Sequence, residues 1–154
     1  MLPVLFLLVF APMVAVLLGT GQTISEATLD GPSYVVFATA SIIFGALLLY
    51  VFWAWWAAVI AGLLLSVCFS TGTAHDVLAL LLYLFVLGEI AFTAWSLPTR
   101  LNMALAGGFA LVLCLAFLNY LDDGAWVGAF QFSLLTLFAI HLLVFYPEAR
   151  EDRF

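Results

Sequence analysis

SYVVFATASIIFGALLLYVFWAWWAAVIAGLLLSVCFS, residues 33–70, runs for 38 residues without a charge, a proline or an amide side chain. As one helix it would extend about 57 Å at 1.5 Å per residue, against a hydrocarbon core of about 30 Å. It therefore reads as two helices that reverse near Trp53–Trp56, although no Gly, Pro or Asn marks the turn. Four more apolar stretches flank it, at 2–19, 76–97, 101–121 and 125–146. The expected fold is all-α: a polytopic bundle of six transmembrane helices at 2–19, 33–51, 56–70, 76–97, 101–121 and 125–146. These form a single transmembrane domain over 1–154, with 147–154 as a short polar tail.

Composition requires a lipid environment. The 154 residues are 68% hydrophobic and 8% charged, whereas a soluble domain carries roughly 25% charge. Such an inventory cannot cover a water-facing surface. The segment MLPVLFLLVFAPMVAVLLGTG at residues 1–21 has the apolar core of a signal peptide but no basic n-region, so it is read as a span. Pro12 is expected to kink it.

The charges are few and one-sided. There is no lysine, and the arginines are Arg100, Arg150 and Arg153; with nine acids the net charge is −6. Nucleic acid is excluded as a partner, because its recognition needs clustered Lys and Arg. Retinal is excluded as a cofactor, because its Schiff base needs a lysine amine. Absence of lysine beside acidic loops is also the habit of halophilic surfaces. Six spans put all three arginines on one side, with both termini, and the positive-inside rule makes that side cytoplasmic at a cell membrane. Glu26, Asp30, Asp76, Asp122 and Asp123 then lie outside. Tyr50, Trp53, Trp55, Trp56, Trp95 and Tyr146 gather at the inner boundary, with Tyr34, Tyr120 and Trp126 at the outer one.

Helix starts agree with these boundaries. Thr73-Ala-His-Asp76 and Thr23-Ile-Ser-Glu26 have the form of capping boxes, Asp30-Gly-Pro32 puts proline in a first turn, and Asp122-Asp123-Gly precedes the last span. Capping accounts for these acids, and together with His75 they show no metal-loop spacing, so no metal site is expected. Cys68 and Cys114 read as buried free thiols. A bis-histidine haem within one chain is not expected, since His75 lies outside and His141 towards the cytoplasm.

Within the apolar segment Asp76–Leu97, Glu89 is the one charge deep inside a span. A carboxylate at the bilayer centre costs about 2.5–3.5 kcal/mol, so it should face protein. Helical spacing places it with Phe85, Phe92, Thr93 and Ser96. By depth its neighbours are Ser41, Ser66 and Thr136, and His141 lies roughly 6 Å nearer the cytoplasm. Glu89 and His141 are thus the intramembrane functional candidates. The pair can relay protons or bind a cation, or Glu89 can bond a neighbouring hydroxyl and serve packing alone. Ala54, Ala58, Gly62, Ser66 and Ser70 recur every fourth residue and form a helix-packing stripe, fit for the bundle centre or an oligomer contact.

No G-x-S-x-G, H-E-x-x-H or phosphate loop occurs, so an enzyme is not expected. The expected function is a non-catalytic, multi-spanning subunit of a larger membrane complex. It would pack against lipids, against partner helices of other subunits or a homo-oligomer, or against a hydrophobic cofactor. The alternative is a small oligomeric channel or transporter with Glu89 on the path. Transporters usually carry several polar groups at the midplane, and one carboxylate is too few to favour that reading.

Overall fold

The computed structural model describes Val9, Ala11, Ala15, Gly19 and residues 31–52, 54–122 and 126–151. All four isolated positions are helical; the rest of the expected span 2–19 and of the 20–30 loop lies outside the described residues. The described residues are otherwise all helix and short connection: α1 Gly31–Phe52, α2 Trp55–Cys68, α3 Gly72–Ser96, α4 Arg100–Asp122 and α5 Val127–Glu151. Among the described residues three segments are long and apolar enough to cross a membrane, namely Tyr34–Phe52, Gly72–Ser96 and Arg100–Asp122. Trp55–Cys68 and Gly128–Val144 are shorter apolar helices. At 14 residues, α2 extends about 21 Å, well under the hydrocarbon thickness. Helix length therefore accounts for three of the six expected spans.

Residues 1–82 and 83–154 form two compact units, the division falling within α3. In the first, the long apolar run breaks at the expected place. Ala54 is extended, at φ −122° and ψ 151°, and its carbonyl accepts the first bond of α2 from the Ala58 N–H at 3.3 Å. That conformation is open to any L-residue, which is why the break needs neither Gly nor Pro. Three contacts then define an antiparallel hairpin. Phe52 meets Trp56 with ring centroids 5.0 Å apart, a Cβ built on Gly45 would stand 3.2 Å from the Ala61 Cβ, and the side chains of Ser41 and Cys68 hydrogen-bond. These pairs step outward from the break in opposite directions along the two helices, as antiparallel packing requires. Trp56 is buried beside Phe52 within the hairpin. Tyr50 and Trp55 are exposed at the same end.

The α2–α3 connection is short, and the Phe69 and Ser70 N–H groups bond back to Leu65 O and Val67 O. Gly72 has φ +58°, the left-handed conformation that costs a residue with a Cβ roughly 1–2 kcal/mol. It starts α3 one residue before Thr73, so Thr73 stands inside the first turn and not at the N-cap expected of it.

In the second unit α4 and α5 form another antiparallel hairpin. The Trp126 N–H donates to Asn119 Oδ1 at 3.0 Å, and a Cβ on Gly108 would lie 4.0 Å from Leu137 Cδ2. Both pairs have the same residue sum, so one register runs along the contact. Asn102, Leu105, Phe109 and Leu113 on α4 face inward, as do Gln131, Leu134, Phe138, His141 and Leu142 on α5.

The Gly45–Ala61 approach leaves no space for a larger side chain. Ala61→Leu is expected to overpack the first hairpin and cost about 1–3 kcal/mol, read as a lowered midpoint in denaturant or heating. A midpoint equal to that of the unsubstituted protein would show that the α1–α2 contact is not close-packed there.

Candidate functional site

Glu89 stands on α3, half-buried, with its carboxyl hydrogen-bonded to Thr93 one turn further on. Thr93 and Ile90 are buried, whereas Gly88, Phe92, Trp95 and Ser96 are exposed. Glu89 therefore sits at the edge between the packed and open faces of its helix. The bond it makes is to Thr93 rather than to His141. The three hydroxyls that depth placed around it bond elsewhere. Ser41 bonds Cys68, Ser66 donates to the Gly62 carbonyl at 2.8 Å, and Thr136 donates to the Phe132 carbonyl at 2.9 Å. Ser133 likewise donates to Ala129 at 2.9 Å. Back-bonding to a carbonyl of the previous turn is the cheapest satisfaction a hydroxyl finds in hydrocarbon.

His141 is buried within the α4–α5 contact, its ring stacked on Phe138 at 6.4 Å between centroids. The register of that hairpin brings Asn102 to within about one turn of the same level. Asn102 closes the α3–α4 turn. Its Nδ2 donates to the Leu97 carbonyl at 2.9 Å, and its N–H donates to Thr99 Oγ1 at 3.1 Å. Thr99 is thereby the N-cap of α4, and its carbonyl takes the Met103 N–H at 3.0 Å. At 1% exposure, Asn102 Oδ1 is a buried acceptor with no hydrogen-bond partner. The distance of five residues between Leu97 and Asn102, across Pro98, is the only sequence trace of this role.

His75, expected at the outer surface, is only 3% exposed. Its Nδ1 lies 3.0 Å from the Val67 carbonyl, which can only accept, so Nδ1 carries the proton. The same carbonyl takes Ser70 N–H at 3.3 Å and Ser70 Oγ–H at 3.1 Å. His75 thus ties the last turn of α2 to the first turn of α3, satisfying a carbonyl that helix geometry leaves open.

The small-residue stripe does not enter the α1–α2 contact. Ala58, Gly62 and Ser66 are exposed, and nothing lies within 4 Å of a Cβ built on Gly62. The face that packs carries Trp56, Ala57, Ile60, Ala61, Val67 and Cys68. Both cysteines are free; Cys114, expected to be buried, is exposed on α4. Among the described residues no group of three His, Cys, Asp or Glu side chains could hold a metal. No protein-family model matches the chain, and no curated protein or solved structure matches it.

The Asn102 geometry has a sign that can be measured. Leu97 O also accepts the Thr99 N–H at 2.8 Å, so removing the amide leaves that carbonyl bonded. Asn102→Leu deletes one bond worth about 1 kcal/mol and one unsatisfied acceptor costing about 1–3 kcal/mol. The variant should be at least as stable as the parent. Asn102→Asp, which turns an oxygen towards Leu97 O, should be less stable by more than 1 kcal/mol. A Leu variant that loses over 1 kcal/mol would show that Oδ1 is bonded in the membrane.

Proposed function

We infer that the chain is a non-catalytic, multi-spanning subunit of a larger membrane assembly. The observation that carries this reading is the outward stripe on α2. In lipid, helices associate through close backbone approach at small residues. Ala58, Gly62 and Ser66 supply such a surface, and the described helices leave it uncovered. The channel alternative draws no comparable support, because the hydroxyls nearest Glu89 in depth bond to their own helices or to Cys68. Partner helices of other subunits, or of further copies, are the proposed occupants.

Purification in mild detergent with mass spectrometry of the co-eluting chains tests the assembly. Stoichiometric partner subunits are expected, and Gly62→Leu should release them while leaving helix content and the thermal midpoint unchanged. Elution of the unsubstituted chain alone as a monomer would overturn the reading.

The proposed topology is one transmembrane domain of six spans in the cell membrane, with both termini cytoplasmic. It rests on Arg100, Arg150 and Arg153 falling on one side. The exposed connections Thr71 and Thr99 then lie on opposite sides. In a Cys68→Ala, Cys114→Ala background, an impermeant thiol reagent added outside intact cells should label Thr71→Cys and spare Thr99→Cys. The reverse pattern would invert the orientation, and labelling of both would discard the six-span count.

A further inference from the structure

α2 is short, and its two ends fix its length. At one end Ala54 is extended, with Tyr50 and Trp55 exposed beside it. At the other, Ser70 and His75 both bond the Val67 carbonyl, and α3 begins at Gly72. From cap to cap, Ala54 to Phe69, the helix reaches only about 24 Å. Immediately beyond it Thr71, Gly72, Thr73 and Asp76 are exposed.

α1 is longer, and the two helices are fastened together. The Ser41–Cys68 bond puts the end of α2 level with Ser41. The apolar segment Tyr34–Phe52 runs on past that level to Tyr34, about 10 Å further. In a bilayer matched to α1, with a core of about 30 Å, the exposed connection at Thr71 would stand among acyl chains. Lipid-exposed non-helical backbone does not occur there. Tilting does not relieve the conflict, because a tilt shared by the hairpin lowers α2 further. Snorkelling is closed as well, since residues 31–99 contain no Lys or Arg. A partner on the Ala58–Ser66 face covers α2 sideways and adds no length to it.

We propose that the α1–α2 hairpin selects phospholipids with short acyl chains, which bring the headgroup layer down to the α2–α3 connection. The short helix then crosses because the bilayer thins to meet it, to a hydrocarbon of about 24 Å beside the hairpin. Thr71, Thr73 and Asp76 face headgroups and water. Tyr50 and Trp55 hold the other boundary, where amphipathic aromatic rings settle.

This inference rests on the six-span reading, and the test separates the two. The full chain is reconstituted in phosphatidylcholine vesicles whose monounsaturated chains run from about 14 to about 22 carbons. The thermal midpoint should be highest at the short end and fall by about 5 °C or more towards the long end. A fluorophore on Phe69→Cys, in a Cys114→Ala background with Cys68 buried, reads the lipid beside α2. In an equal mixture of the shortest and longest lipids it should be quenched about twofold more when the short chains carry the quencher. A midpoint that is flat or highest in the longest chains would overturn the inference, as would equal quenching by the two lipids. Thiol access checks the crossing itself, with Trp55→Cys and Thr71→Cys labelled from opposite sides. If they label so while the lipid series is flat, the lipid preference is lost and the six-span reading stands; labelling from one side removes both.

Discussion

In hydrocarbon a backbone N–H or C=O left without a partner costs several kcal/mol, and every reversal between helices exposes such groups. The connections of this chain are built around that penalty. Val67 O, at the end of α2, takes donors from Ser70 and His75. Leu97 O, just after α3, takes Thr99 N–H and the Asn102 amide. Trp126 N–H, entering α5, finds Asn119. The side chains of Ser70, His75, Asn102 and Asn119 are thus placed where the helical ladder stops. Their positions allow connections of only a few residues and hold successive helices as neighbours.

The same economy governs the helix interiors. Ser66, Ser133 and Thr136 return their hydroxyls to carbonyls of their own helices. A hydroxyl used this way presents its helix as an apolar cylinder, and contact between helices then depends on shape. Shape explains the two hairpins. Gly45 lets α1 and α2 approach until a Cβ there would stand only 3.2 Å from the Ala61 Cβ, while at Gly108, where a Cβ would lie 4.0 Å from Leu137 Cδ2, the α4–α5 contact is ordinary van der Waals packing. Glu89 breaks the pattern. Its bond to Thr93 is local, yet its position at the edge of an open face leaves a mid-span carboxyl beside lipid or a partner.

Much of the architecture was legible in residue order. An apolar run of 38 residues exceeds what one crossing can use, so a reversal near Trp53 followed from length alone, before any turn residue was sought. The apolar stretches foretold helices, three of them, among the described residues, long enough to cross a membrane; the expected 101–121 agrees with α4 to within a residue, whereas α3 begins four residues before the expected 76. What length could not do was make α2 a full crossing, since the observed helix ends at Cys68, about 21 Å from its start.

The residue order did not decide which face of each helix packs. A four-residue period of small side chains reads equally as a contact within the chain or as one offered outward, and the bulk of Trp56 and Ile60 on the opposite face drew α2 inward there. It did not decide partners either. Depth counting set Glu89 beside Ser41, Ser66, Thr136 and His141, but depth is one coordinate of three; its bond goes to Thr93, which helical spacing had already placed on the same face of its own helix. His75 and Asn102 were hidden for a related reason: a helix-end carbonyl has no signature in sequence, and only the folded turn shows which side chain reaches it. The sequence by itself determined the apolar helices and the place of the reversal, because those depend on hydrophobic length. Only the tertiary structure decided facing and pairing, because those depend on how each helix is rotated against its neighbour.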